Sequence, residues 1–282
     1  MRFYKMQALG NDFIILPVES ASDVPSADYL RRLADRRLGI GADQIMVPVL
    51  NQPGAVRQPD VYCLIFNADG SQSAQCGNGL RCLAHFLRLH HGYTSPVRLL
   101  TDAGLFCFEW QNGLWRANMG LLQWDPINVP FLRQEVAPLY PFLLNQQKRV
   151  DLGVVALGNP HAVWYVSDAQ CIQNTTVVVE QIAKHADFPS GVNVGLARLI
   201  DSQHIDLHVF ERGVGFTPAC GSGACAAMAV GRLNGWLDEQ VQVKQPGGSL
   251  VVSWSGRSVD PVMCTGSGQM LFEGLYYDSI FS

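Results

Sequence analysis

Hydrophobic residues run along this chain in short blocks. Phe13-Ile14-Ile15-Leu16, Val97-Arg98-Leu99-Leu100, Val163-Trp164-Tyr165-Val166, Val177-Val178-Val179 and Leu250-Val251-Val252 are rich in branched and aromatic side chains. Many have Gly, Pro or Asn near their ends, which predicts strands. Two stretches carry the helical period instead. After Gly79, Leu80, Leu83, Ala84 and Leu87 fall on one helical face; after Gly223, the alanine-rich run 224–233 ends at Asn234-Gly235, a stop signal. Strands and helices mixed in this way predict α+β architecture. The proline-rich segment 125–147 is expected to link two halves.

The halves echo each other. Ala8-Leu9-Gly10-Asn11 returns as Ala156-Leu157-Gly158-Asn159, an offset of 148, and Cys76-Gly77-Asn78-Gly79 returns as Cys220-Gly221-Ser222-Gly223, an offset of 144. Between them, Gly39-Ile40-Gly41-Ala42-Asp43-Gln44 has a looser counterpart in Ser190-Gly191-Val192-Asn193. Three elements in the same order predict two related domains of ordinary size. Facing each other, such domains would bring each loop to one side of a cleft, a common place for ligands.

Composition narrows the function classes. With 48% hydrophobic and 16% charged residues over 282 positions, the chain is long and apolar enough to fold. The net charge of -4 and the absence of a basic run argue against nucleic acid. Arg31, Arg32, Arg36 and Arg37 cluster, but with Asp28 and Asp35 among them they read as the solvated face of a helix. No apolar run approaches the roughly 20 residues of a membrane helix, and the N-terminus lacks the apolar core of an export signal, so a soluble, cytoplasmic protein with no membrane partner is expected. In that compartment eight cysteines are expected to stay reduced.

Each Cys-Gly-X-Gly element sits just before a predicted helix. Glycines let a ligand approach the backbone closely, and the unpaired N–H groups of a helix's first turn suit a carboxylate. The same partial positive charge favours thiolate. A free cysteine, with a pKa of roughly 8.5, is only about 3% ionised at pH 7, so the gain matters. Two such loops, in opposing domains, suit inversion of a stereocentre: one thiolate removes a proton from one face and one thiol supplies a proton to the other. Backbone donors at the carboxylate would stabilise the carbanion between those steps.

Plainer readings are available. Cys63, Cys107, Cys171 and Cys264 read as small buried hydrophobes. The spacings from Cys76 to Cys82 and from Cys220 to Cys225 do not suit a zinc site, and neither loop carries the lysine of a phosphate-binding loop. The lysines are Lys5, Lys148, Lys184 and Lys244, none in a glycine-rich setting suited to a pyridoxal Schiff base, so no cofactor and no metal are expected. Taken singly, Asn11, Asn67, Asn159 and Asn193 would be turn residues, Glu211-Arg212 a surface ion pair, and His161 a structural histidine.

Read together, these motifs resemble the diaminopimelate epimerase family. Gly10-Asn11-Asp12-Phe13, Gly41-Ala42-Asp43-Gln44, Asn67-Ala68-Asp69-Gly70-Ser71, Cys76-Gly77-Asn78-Gly79-Leu80-Arg81-Cys82, Gly158-Asn159-Pro160-His161, Gly191-Val192-Asn193-Val194, Glu211-Arg212-Gly213-Val214-Gly215 and Cys220-Gly221-Ser222-Gly223-Ala224 occur in the family's order, and Phe272-Glu273-Gly274 is similar too. The resemblance implies two α+β domains, residues 1–120 with 266–282 and residues 121–265. Each would be a mostly antiparallel sheet curled around a central helix, with the active site in the cleft between them. It implies interconversion of LL- and meso-2,6-diaminopimelate, in lysine and peptidoglycan-precursor synthesis, without pyridoxal phosphate or metal, by an enzyme that commonly forms homodimers. Cys76 and Cys220 match the acid/base cysteines, and His161 and Glu211 a pair near the reacting centre. Gly77, Asn78, Gly221 and Ser222 match the cradle of the reacting carboxylate. Asn11, Gln44, Asn67, Asn159, Asn193 and Arg212 match positions that bind the rest of the substrate. The chain departs from the pattern at Phe216, where a glutamate is usual, and at Gln7-Ala8. A proline or hydroxyproline racemase shares the two-cysteine plan, a phenazine-type isomerase resembles the fold without the cysteines, and a silent binding protein would hold the ligand without exchanging its proton.

Overall fold

The computed structural model describes residues 1–50, 61–144, 148–167 and 175–277. The architecture is α+β, as the mixed periodicities predict, and the chain divides into two compact units, Met1–Ala117 with Gly266–Ser282, and Asn118–Thr265.

The first unit contains β1 (Arg2–Ala8), β2 (Asn11–Ile15), α1 (Ala27–Ala34), β3 (Gln44–Val49), β4 (Val61–Asn67), β5 (Gln72–Ser73), α2 (Gly77–His91), β6 (Val97–Thr101), β7 (Gly104–Gln111) and β8 (Leu114–Asn118). The pairs β1–β2, β3–β4, β4–β5, β6–β7 and β7–β8 are antiparallel; β2–β3 and β4–β6 are parallel. Helix α2 contacts β1, β2, β3 and β6. Leu80, Cys82, Leu83, Ala84, Phe86 and Leu87 are all buried along it.

The second unit opens with β9 (Tyr140–Leu144) and continues with β10 (Lys148–Ala156), β11 (Pro160–Val166), α3 (Thr176–Ala183), β12 (Asn193–Asp201), β13 (His204–Glu211), β14 (Gly215–Thr217), α4 (Gly221–Leu233), β15 (Gln240–Gln245), β16 (Gly248–Ser253) and β17 (Met263–Gly266). From β10 onward the pairing repeats that of the first unit. β10–β11, β12–β13, β13–β14, β15–β16 and β16–β17 are antiparallel, while β11–β12 and β13–β15 are parallel. Residues 223–231 of α4 are buried without a break. A helix apolar on every side must be enclosed, and its alanines let strands approach from all directions. The last strand, β18 (Gln269–Leu275), pairs antiparallel with β1.

Four sequence readings change. Val177-Val178-Val179 is the start of helix α3, not a strand. Val179 and Ile182 are buried while Val177 is 67% exposed, so the run spans both faces of a helix. Three apolar residues are too few for their period to decide between the two, and packing overrides the β preference of valine. Segment 125–147 is not merely a link. Val129, Phe131, Tyr140, Phe142 and Leu144 belong to the core of the second unit, and β9 pairs with β10; positions 145–147 lie outside the described residues. In the arginine cluster, Arg31 and Arg32 do lie exposed on α1, but Arg36 stands beyond the helix and reaches Asp12 and Asp43. Finally, Cys107 is only half-buried, whereas Cys63 and Cys264 are buried as expected and Cys171 lies outside the described residues.

Candidate active site

Both predicted helices begin earlier than their apolar runs show. Cys76 is the N-cap of α2 and Cys220 the N-cap of α4, each in extended backbone. The Gly79 N–H donates to Cys76 Sγ at 3.4 Å, and the Gly223 N–H donates to Cys220 Sγ at 3.4 Å. Sulfur therefore does at each helix start what a serine or aspartate oxygen usually does. That donor and the helix dipole both favour the thiolate. The N–H groups of Gly77, Asn78, Gly221 and Ser222 occupy first-turn positions that helix geometry leaves without an intrahelical acceptor.

The last glycine of each motif is required by packing. A Cβ on Gly79 would meet Met46 Sδ at 2.6 Å, and one on Gly223 would meet Val209 Cγ2 at 2.8 Å. Gly221 differs: a Cβ there meets nothing within 4 Å, so the protein leaves that face of the helix start open. The hairpin after each helix ties down its cysteine loop. The Ala103 N–H in the β6–β7 turn donates to the Ala74 carbonyl at 3.3 Å, and the Gly247 N–H in the β15–β16 turn donates to the Pro218 carbonyl at 2.8 Å. Each acceptor lies two residues before the cysteine.

In the second unit the candidate residues form one connected chain. His161 Nε2 lies 3.0 Å from Asn159 Oδ1 and 3.0 Å from Ser222 Oγ, and Ser222 Oγ lies 3.5 Å from Cys220 Sγ. His161 is fully buried, and desolvation pulls its pKa down to about 4, so the ring is neutral near pH 7. Asn159 Oδ1 can only accept, so a neutral ring protonated on Nε2 shares that proton between Asn159 Oδ1 and Ser222 Oγ, and the Ser222 hydroxyl proton is then free to point at the sulfur. On the other side, burial pushes the Glu211 carboxyl up, partly offset by hydrogen bonds from Thr217 Oγ1, at 2.6 Å, and from the Cys220 thiol. Asn193 Oδ1 accepts the Arg212 backbone N–H at 2.8 Å. The Arg212 guanidinium is exposed and donates to the Ser190 carbonyl at 2.6 Å.

In the first unit the predicted residues fall into smaller groups. Gln44 Nε2 donates to Asn67 Oδ1 at 2.8 Å, and Asn67 Nδ2 to Ser71 Oγ at 3.0 Å. Asn78 is buried, and its Oδ1 accepts from Arg81 at 3.2 Å. Asn11 Nδ2 donates to Asp43 Oδ2 at 2.6 Å. Behind Asn11 lies an ion cluster that the sequence did not reveal. Arg36 grips Asp12 with both terminal nitrogens, at 2.9 and 2.6 Å, and also reaches Asp43. The buried Lys5 ammonium donates to Asp12 and to the Gly41 carbonyl. Burial alone would raise the Asp12 carboxyl, but Arg36 and Lys5 hold it well below the usual range. Lys5 thus sits behind two glycine-containing motifs as a structural cation paired with Asp12 and the Gly41 carbonyl.

Sequence reasoning also missed Gln245 at the end of β15. Its Oε1 accepts the Cys220 backbone N–H at 2.8 Å from a position only 4% exposed. The signal was a polar residue at the third inward position of a strand whose first two, Val241 and Val243, are buried valines. Phe216, the departure from the family pattern, lies on β14 edge-on to Phe210 and 42% exposed. Gln7 accepts the Gly10 N–H and pairs with Gln269.

Comparison with known proteins gives the fold and the family. Among solved structures, a hydroxyproline epimerase from Agrobacterium vitis matches with a TM-score of 0.65, over 97% of this chain and 91% of its own, at 14% identity. A phenazine biosynthesis protein of the PhzF family from Enterococcus faecalis matches with a TM-score of 0.68, over 98% of each chain, at 15% identity. At that identity the likeness shows the fold. Among curated sequences, the diaminopimelate epimerase of Alkalilimnicola ehrlichii is 42% identical, covering 97% of this chain and 98% of that one. That of Nitrosospira multiformis is 40% identical, covering 97% of each, and that of Coxiella burnetii 39%, covering 99% of each. The profile of the diaminopimelate epimerase family matches residues 3–124 and 153–271, one stretch for each cysteine loop. With both loops matched and some 40% identity held across nearly the whole length, this chain belongs to the diaminopimelate epimerase family.

Proposed function

We propose that the protein interconverts LL- and meso-2,6-diaminopimelate, with Cys76 and Cys220 as the two acid/base groups. One observation carries the reading: each unit presents a cysteine as the N-cap of a central helix, its sulfur facing a glycine N–H at 3.4 Å. The reading requires the two sulfurs to reach opposite faces of one α-carbon. A thiolate on one side takes the α-proton, and the electron pair left behind delocalises into the carboxylate. The first-turn N–H groups of Gly77, Asn78, Gly221 and Ser222 stabilise that charge. The thiol on the other side then gives its proton to the opposite face, and the two sulfurs exchange protonation states. Running the reaction in reverse swaps their roles. His161 and Glu211 act beside Cys220.

A diaminopimelate molecule has a second amino-acid head to hold. Amides donate to carboxylates and accept from ammonium groups, and a guanidinium pairs with carboxylate, which assigns Asn11, Gln44, Asn67, Asn159, Asn193 and Arg212 to that head. A small cyclic substrate would leave most of them idle. The enzyme then serves lysine and peptidoglycan-precursor synthesis and works in the cytoplasm as a homodimer. Light scattering on the purified protein tests the last point.

The deciding experiment is incubation in D2O with LL-diaminopimelate and with proline, side by side. Deuterium at one α-carbon of diaminopimelate, with none in proline, is expected. Exchange in proline alone would transfer the protein to the proline-racemase reading, and binding of diaminopimelate without exchange would make it a binding protein.

A further inference from the structure

We infer that Gln245 is a positioning residue that sets the placement and proton affinity of Cys220, an inference that rests on the proposed role of that cysteine. Strand β15 alternates exposed and buried positions, and Val241, Val243 and Gln245 share the inward face. The alternation calls for an aliphatic side chain at 245. A primary amide stands there instead, 4% exposed, and spends its oxygen on the Cys220 N–H at 2.8 Å. Its other end is idle: Gln245 Nε2 is buried and has no hydrogen-bond partner among the described residues. A buried amide with an unpaired donor is poorly suited to stability alone. What it does achieve is to hold the peptide before Cys220, and with it the direction of the Cα–Cβ bond and the position of the sulfur relative to the Gly223 N–H.

The first unit shows what the fold does without this contact. Strand β6 has the same alternation, with Val97 and Leu99 buried and Thr101 at the corresponding third position. Both hairpins have two-residue turns, and in both a turn N–H holds the carbonyl two residues before the cysteine. Thr101 is shorter, and its hydroxyl bonds within the hairpin, to the Ala103 N–H and the Gly104 carbonyl. The turn contact is therefore common to both loops, and the Gln245 contact to Cys220 is an addition. By fixing the N-cap peptide it keeps the sulfur in line with both the helix dipole and Ser222.

The test uses the full-length protein with Gln245→Leu and Gln245→Glu. Iodoacetamide labelling across pH, read by peptide mass spectrometry without substrate, gives separate ionisation midpoints for Cys76 and Cys220. The leucine, which suits the apolar face, is expected to leave the melting temperature at or above that of the parent. It should lower kcat at least 10-fold with KM changed less than 2-fold, and move the Cys220 midpoint by about half a unit or more. The Cys76 midpoint should stay in place. The glutamate keeps an acceptor at the same reach, so it is expected to recover part of kcat. Its added negative charge should shift both the Cys220 midpoint and the rising limb of the pH–rate profile upward. If Gln245→Leu fails to fold, the glutamate variant's selective shift at Cys220 carries the test. A parent-like kcat and Cys220 midpoint in both variants, or equal shifts at both cysteines, overturns the inference. If the unaltered protein exchanges no α-deuterium, the functional reading falls, while the labelling still decides what Gln245 does.

Discussion

The two cysteine loops share a backbone and differ in their surroundings. Each places a sulfur at a helix N-cap, each contains a glycine that must lack a Cβ, and each is tied by the following hairpin. Around Cys76, which is half-buried, lie the buried thiols of Cys63 and Cys82, both pushed up by desolvation, Cys82 to about 12. Those thiols stay protonated and chemically quiet. Around Cys220, which is 7% exposed, lie Gln245, the Ser222–His161–Asn159 chain and the Glu211 carboxyl. The lesson is that the repeated element supplies a sulfur at a helix N-cap and nothing more specific. The polar groups that distinguish the two include His161, Glu211 and Gln245, side chains outside the echoed tetrapeptides, and Ser222, which stands where the first loop has Asn78.

The comparison can be broken or sharpened by experiment. The largest effect is expected from Cys76→Ser and Cys220→Ser. If the two thiols form one acid/base pair, each substitution lowers epimerisation by about 10³-fold or more, since either loss removes a whole proton-transfer step. Retention of activity in one of them would show that only one loop is catalytic.

A pH effect comes next, and it belongs to the second unit. The pKa of His161 is pulled down by burial to about 4, below its ordinary value near 6.5. Between those values the unfolded chain binds the proton more readily than the folded one, so stability falls as pH drops through that window. The contribution is fully present above pH 6.5, and its loss by pH 4 amounts to about 3 kcal/mol. Hydrogen exchange followed in peptides of each unit should show the second unit loosening over this range, and His161→Gln should flatten that part of the slope. An unchanged slope in the variant would remove His161 as the cause.

Packing at the loop glycines gives a smaller contrast. Gly223→Ala drives a Cβ against Val209, a stiff β-branched side chain, whereas Gly79→Ala meets the thioether of Met46, which can move aside. Both should destabilise, Gly223→Ala by about 2–3 kcal/mol and Gly79→Ala by about 1 kcal/mol, as read from denaturant melts. Gly221→Ala, with open space around its Cβ, should melt like the parent and, if the proposed carboxylate cradle is used, raise KM. The smallest effect is expected at Phe216→Glu. The side chain is 42% exposed and lies edge-on to Phe210, so stability should change by about 0.5 kcal/mol or less and kcat little.

Much of the site was legible because its chemistry is local. In both loops a cysteine followed by two spaced glycines and a helical run brings its sulfur to the helix start, where the first turn has unpaired N–H groups. The repeated motifs with Gly10 and Gly158 were legible for a similar reason: both glycines adopt left-handed backbone, φ 79° and 77°, which few other residues tolerate. The valines of α3 were not legible, because three β-branched residues in a row satisfy strand and helix alike until the core selects a face. Residues 125–147 were read as a link because prolines and turns conceal aromatic side chains whose burial depends on partners such as Phe188, some 40 to 60 positions away.

The sequence by itself determined the two cysteine loops, the mixed α+β class and the family. Each of these depends on residue types at short spacing, where backbone geometry alone dictates the outcome. The tertiary structure decided what surrounds each sulfur: Gln245 beneath Cys220, His161 linked to it through Ser222, and the Arg36–Asp12–Lys5 cluster behind Asn11. The contacts Gln245–Cys220, His161–Ser222 and Arg36–Asp12 join residues 25, 61 and 24 positions apart, through strand pairing whose register is set by the packing of a whole core. No local pattern can encode such a distance, so the difference between the two thiols exists only once the chain has folded.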